Sequence, residues 1–201
     1  MFILETKRIT GCQSKYMNQK FDTYSDNELF SMLTSRGHRE QAFKELYRRF
    51  EQRVWAYSRI SLRNDEQAKD VVQDAFMRFY KAGEHGAVVV NIAAYLMRIV
   101  RNLVIDAQHK TSQQFVNIDD LEISIPMEED NQKELEQVIE TALQLLPEEY
   151  RDALIMQTYS NMTYNEIAIV QEVPVTTVRN RIVRAKSRLR ELLSGYVNSG
   201  E

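Results

Sequence analysis

At 201 residues and 23.6 kDa, with 43% hydrophobic and 27% charged side chains, the chain has room for one large domain or two small ones. That composition excludes wholesale disorder, and the length excludes a large multidomain enzyme. The net charge of −3 conceals segregation: eight acids against one lysine from Asn117 to Glu136, and six basic residues without an acid from Arg179 to Arg190. Residues Arg39 to Lys110 carry thirteen basic and nine acidic side chains, so two basic modules flank an acidic connector.

No run free of charged residues exceeds 13 residues, short of the roughly 20 that a membrane-spanning helix needs. The opening Met1-Phe2-Ile3-Leu4-Glu5 lacks the basic leader of a signal peptide. One cysteine, Cys12, precludes an internal disulfide, and His38, His85 and His109 show no metal-ligand spacing. The expectation is a cytoplasmic chain without metal, cofactor or membrane insertion. No Ser/His/Asp or Cys/His set and no glycine-rich phosphate loop points to catalysis.

The elements read as all-α, since no period-2 alternation bounded by turns recurs. A short helix is predicted near Asp26 to Leu33. From Ala42 to Ile60, Ala42, Phe43, Leu46, Tyr47, Phe50, Val54 and Tyr57 form one apolar stripe at helical spacing. A second stripe, Ala68, Val71, Val72, Ala75, Phe76 and Phe79, runs through Asp65 to Tyr80. Gly83 and Gly86 then bracket a loop from Lys81 to Asn91, and Ile92 to Ala107 turns Ile92, Leu96, Ile99, Val100, Leu103 and Ala107 inward.

Thr111 to Lys133 has no clean period and reads as an acidic flexible linker. Beyond it, Glu134 to Leu146 presents Leu135, Val138, Ile139, Ala142, Leu143 and Leu146 on one face before Pro147 stops the pattern. Glu148 to Tyr159 follows. Thr163-Tyr164-Asn165-Glu166 is a capping box opening a short helix to about Val170, and after Pro174 comes a long basic helix, Val175 to Leu193. The domains expected are an N-terminal extension (1–24, read as a disordered or partner-binding arm), a first helical bundle (25–110), the linker (111–133), a second helical domain (134–194) and a tail (195–201).

The last two helices read as a helix-turn-helix. Val178, Ile182, Ala185, Leu189 and Leu192 would be buried, leaving Arg179, Asn180, Val183, Arg184 and Lys186 outward, with Thr176 and Thr177 at the N-terminal end. Arginine and asparagine suit guanine and adenine edges in the major groove, and helix-start hydroxyls suit phosphate. A solvated basic face that binds nothing is the alternative on spacing alone. Glu172 stands at a turn position that ordinarily favours glycine because φ is positive there. Earlier in the chain, Glu66, Asp70 and Asp74, with Gln73 beside them, form an acidic ridge at four-residue steps. Tyr95, Arg98, Asn102, Asp106 and His109 share a face of the helix beginning at Ile92.

Three segments, Leu145-Leu146-Pro147-Glu148-Glu149-Tyr150-Arg151, Met162-Thr163-Tyr164-Asn165-Glu166-Ile167-Ala168 and Val173-Pro174-Val175-Thr176-Thr177-Val178-Arg179-Asn180-Arg181, resemble region 4 of the sigma-70 family. Upstream, Ala42-Phe43-Lys44-Glu45-Leu46-Tyr47-Arg48-Arg49-Phe50, Asp70-Val71-Val72-Gln73-Asp74-Ala75-Phe76 and Ala94-Tyr95-Leu96-Met97-Arg98-Ile99-Val100-Arg101-Asn102 are similar to region 2. Two regions in order, over roughly residues 25 to 194, resemble the extracytoplasmic-function group of RNA polymerase sigma factors.

The resemblance implies a transcription initiation factor that binds core RNA polymerase through the acidic ridge on a basic β′ coiled coil and through the β flap. It further implies that the −10 strand is held by Tyr95, Arg98, Asn102, Asp106 and His109 with the preceding loop. The −35 duplex is then read by Thr176, Thr177, Arg179, Asn180, Val183, Arg184 and Lys186. The linker is implied to mimic nucleic acid inside the polymerase channel, and an anti-sigma factor to mask these surfaces. Tyr95 stands where the family usually has tryptophan, and Ala87-Val88-Val89-Val90 departs from its more polar loop. Two rival readings are a stand-alone helix-turn-helix regulator and a non-DNA helical adaptor. In a variant of the main reading, the Glu172 turn weakens −35 recognition and another DNA-bound protein supplies targeting.

Overall fold

The computed structural model of the protein describes residues 21–114 and 131–197. Among them every regular element is a helix: α1 (Asp26–Met32), α2 (Arg39–Leu62), α3 (Asp65–Glu84), α4 (Ile92–Gln114), α5 (Asn131–Gln144), α6 (Glu148–Thr158), α7 (Tyr164–Gln171) and α8 (Val175–Val197). Local sequence accounts for most of the boundaries. Ser25 and Glu28 form a capping box on α1, and Asn64 Oδ1 accepts from the Glu66 and Gln67 amides to start α3. Asn91 Oδ1 accepts from the Ala94 amide at the start of α4. Pro147 restarts the chain into α6, and Thr163 and Glu166 make the anticipated capping box on α7. Arg63 closes α2 in the left-handed conformation, its amide donating to the Arg59 carbonyl.

Helices α1 to α4 enclose a core of Leu29, Leu33, Leu46, Tyr57, Phe79, Leu96 and Met97. Phe30 packs on Phe79 with ring centroids 4.9 Å apart. Each such large side chain contributes about 1.5–3 kcal/mol through burial. Helices α5 to α8 bury Leu143, Ile155, Met156, Ile167 and Ile182, and the apolar cluster is continuous across both groups.

The predicted stripes of α2, α3 and α4 face inward, with Phe43, Ile99 and Ala107 partly buried; Tyr47, 38% exposed, is the exception. Leu135 and Leu192, expected inside, are also exposed, each lying toward an end of its helix. Helix α3 runs four residues beyond Tyr80 and takes in Gly83, which the sequence had suggested as a loop residue. The physical reason is close packing. A Cβ built on Gly83 would lie 2.4 Å from Leu33 Cδ1, so the glycine lets the end of α1 press onto α3. The loop therefore begins at His85, with Gly86 at φ +74°.

The expected acidic linker falls outside the described residues for 115–130, and its flanks are helical, as the ends of α4 and the start of α5. Of the N-terminal extension, residues 1–20 lie outside the description. Phe21 to Tyr24 are tied down: Arg49 donates to the carbonyls of Phe21, Asp22 and Tyr24 and pairs with Asp26, while Glu45 accepts from both Arg48 and Arg49.

The two helical groups dock through a polar seam. Asp152 of α6, 4% exposed, accepts from the Tyr57 hydroxyl of α2 at 3.0 Å and from Arg101 Nε of α4 at 2.7 Å. Burial pushes the Asp152 carboxyl above its usual value, outweighing the pull of Arg101 and the two hydrogen bonds. Burial likewise lifts the Tyr57 phenol well above its ordinary range. Around this centre, Ser160 Oγ donates to the Arg53 carbonyl, Gln144 Nε2 to the Ile60 carbonyl, and Arg59 pairs with Glu140 at 3.0 Å.

Candidate nucleic-acid interface

Helix α8 divides along its length. Val178, Ile182 and Ala185 are buried against α6 and α7, and Leu189 partly so, which turns Arg179, Asn180, Val183, Arg184 and Lys186 to solvent. Thr176 is exposed and Thr177 half-buried in the first turn. Val183 is 61% exposed, an apolar side chain in a basic field and suited to a thymine methyl. Arg181 turns the other way: it donates to Gln171 Oε1 at 2.9 Å and so braces α8 on α7. Tyr150, 34 residues upstream of Arg184, accepts from its guanidinium at 3.3 Å, which raises the arginine's pKa and orients it. No local pattern in the sequence signals that pairing.

The turn between α7 and α8 adopts the conformation anticipated from its position. Glu172 has φ 55° and ψ 41°, and its amide donates to the Ala168 carbonyl. A non-glycine residue in that region costs on the order of 1 kcal/mol.

On α3, Glu66, Asp70, Gln73 and Asp74 are all exposed on one side, so the predicted ridge exists as a surface. Asp74 is partly neutralised by Arg78 at 2.9 Å, leaving Glu66 and Asp70 as its less compensated carboxylates. Beside it, between α2 and α3, lies a groove of about 410 Å³ lined by Tyr47, Glu51, Gln52, Trp55 and Val72.

The α4 face is less uniform than its spacing suggested. Asn102, Asp106 and His109 are exposed, but Tyr95 is half-buried, its ring 6.2 Å from Phe30 and 6.3 Å from Phe79. Arg98 is already engaged. Its Nη2 donates to the Ile169 carbonyl at 2.7 Å and lies 3.1 Å from Glu172 Oε1, both across the seam. In the loop leading into α4, Val88 and Val90 are 97% and 90% exposed, and Asn27 Nδ2 donates to the Val90 carbonyl. Among the described residues, no group of histidines, cysteines and carboxylates could hold a metal ion, and no helix is long and apolar enough to cross a membrane.

Residues 46–114 match the model for sigma-70 region 2, and residues 136–189 that for sigma-70 region 4. The chain is similar to the ECF RNA polymerase sigma factor SigM of Mycobacterium tuberculosis, with 29% identity over 165 residues, covering 79% of this chain and 80% of that one. It is 25% identical to the ECF RNA polymerase sigma factor SigM of Bacillus subtilis, over 77% of this chain and 96% of the relative. Among solved structures, CnrH in complex with the cytosolic domain of CnrY aligns at a TM-score of 0.64 and 21% identity, over 85% of this chain and 97% of that chain, a likeness of fold. The sigma factor RpoE of Bartonella quintana, in complex with the anti-sigma factor NepR, aligns at 0.60 with 25% identity, over 76% and 96% of the respective chains.

Proposed function

The chain belongs to the sigma-70 family of RNA polymerase sigma factors, matching it in both region 2 and region 4, and on that premise we propose how its surfaces divide the work. A sigma factor is not an enzyme; it binds core RNA polymerase and promoter DNA, and polymerase supplies the chemistry. Helices α1 to α4 engage core polymerase through Glu66, Asp70, Gln73 and Asp74. Carboxylates on one exposed helix face steer a basic partner into register more than they add affinity. Arg179, Asn180, Val183, Arg184 and Lys186, with Thr176 and Thr177, read the −35 duplex. The α4 face from Tyr95 to His109 takes the melted −10 strand, where stacking and phosphate contacts offset unstacking of a few kcal/mol.

The domain reading follows the same lines: helices over 25–110 for polymerase and −10 contacts, and over 134–194 for the −35 element. An anti-sigma factor is a further partner, by analogy with the Bartonella quintana sigma factor solved in complex with NepR. The working place is the cytoplasm, beside polymerase.

One observation carries this reading most directly: α8 buries Val178, Ile182 and Ala185 while presenting two arginines, an asparagine and an exposed valine on the opposite side. A stand-alone regulator or an adaptor would leave the region 2 match over 46–114 without a role. Size-exclusion with purified core polymerase tests the ridge. Wild-type protein co-elutes, and Asp70→Lys with Glu66→Lys weakens association at least about tenfold. In run-off transcription, Arg179→Glu with Arg184→Glu abolishes promoter-specific product while co-elution persists. Loss of neither property would refute the assignment.

A further inference from the structure

We propose that residues 1–20 dock in cis in the groove between α2 and α3, with Tyr16 and Met17 over Trp55, and so compete with polymerase for the acidic side of the first helical group. The groove, about 410 Å³, is lined by Tyr47, Trp55 and Val72 together with Glu51 and Gln52. Tyr47 is 38% exposed although its place in the α2 stripe points inward, and Trp55 is half-buried. Two aromatic rings thus reach water in one groove, which suits an aromatic side chain and the adaptable thioether of a methionine.

The segment is rooted on the right face of α2. Asp22 Oδ1 accepts from Arg48 Nη2 at 3.4 Å, and the Phe21 carbonyl accepts from Arg49. Arg48, Gln52 and Trp55 stand four and three residues apart, on one face of one helix, with Trp55 about 10 Å along the axis from Arg48. Extended, the six residues from Tyr16 to Phe21 span about 20 Å, twice that rise. Charge is complementary as well. Residues 1–20 hold Lys7, Arg8, Lys15 and Lys20 against Glu5 alone, and Lys15 and Lys20 bracket the Tyr16-Met17 pair. Across from them are Glu51 in the groove and the exposed Glu66 and Asp70 on the adjoining helix.

Tethering lets a weak contact matter. A short link gives the segment an effective concentration in the millimolar range, so an intrinsic Kd of about 0.1–1 mM fills the groove half to nine-tenths of the time. A basic surface of polymerase approaching Glu66 and Asp70 then meets a basic segment of the chain itself, and its apparent affinity is scaled by the open fraction. That competition rests on the reading of the ridge as the polymerase face; the docking does not.

The full-length chain supplies its own probe positions, since its one cysteine, Cys12, lies in the segment and its one tryptophan in the groove. A nitroxide on Cys12 should broaden the single indole N–H resonance of Trp55, with the reduced nitroxide as reference. Tyr16→Ser with Met17→Ser should lower that paramagnetic relaxation at least about twofold and tighten association with core polymerase about two- to tenfold. Equal relaxation in wild type and variant overturns the docking. So does broadening passed from nitroxide-bearing chains to isotopically enriched chains without the label, which marks a second copy in the groove. Relaxation that falls with no gain in polymerase affinity overturns the competition. If Glu66→Lys with Asp70→Lys also leaves polymerase association intact, the ridge reading fails with it; otherwise that reading stands.

Discussion

Glu45 and Asp152 are both carboxylates almost wholly shielded from water, yet they titrate in opposite directions. Glu45 accepts from Arg48 and Arg49, and those bonds draw its pKa from 4.5 to about 2 despite the desolvation. Asp152 has one arginine and one tyrosine, and burial prevails, so its pKa rises. Linkage fixes the consequences. The stability Glu45 contributes is fully present above pH 4.5 and is lost as pH falls toward 2. That of Asp152 is greatest below its unfolded value of 3.8 and declines as pH rises through the raised one. Urea denaturation of Glu45→Gln at pH 7 should show a loss of about 1–2 kcal/mol that shrinks at pH 3, where the wild-type carboxylate itself weakens. None of this is legible one residue at a time. Periodicity put Tyr57 inside but could not supply Asp152, 95 residues on, as the acceptor for its hydroxyl.

At the level of elements, the sequence was most informative where chemistry is local. The Thr163–Glu166 box, the proline restart at Pro147 and the glycine-like turn at Glu172 all depend on neighbours within four residues, and all appear as the sequence indicated. It was least informative where an end is decided by a distant partner. Gly83 reads as a loop signal, yet α3 continues through it because Leu33 needs the missing Cβ. Gly83→Ala should therefore destabilise, although alanine is the better helix former. The expected loss is about 1–3 kcal/mol by thermal or chemical denaturation, from overpacking against Leu33. A stabilised Gly83→Ala would mean that α1 does not lean on α3 as described. The α4 face shows the same division: its 3.6-residue spacing was plain, but the capture of Arg98 by Ile169 and Glu172 spans over 70 residues and left no periodic trace.

Seen as one molecule, the protein concentrates positive charge on α8 and carries an exposed acidic ridge on α3, with the seam between its helical groups made of hydrogen bonds and ion pairs as well as apolar contact. Trp55, the one tryptophan of the chain, lies half-buried in the groove of Tyr47, Glu51, Gln52 and Val72, alongside the helix that bears the acidic ridge. Its indole is thus a built-in optical reporter. Emission should shift to shorter wavelength when a tryptophan-free basic polymerase fragment covers α3, so ultraviolet excitation follows docking on the ridge without any attached dye.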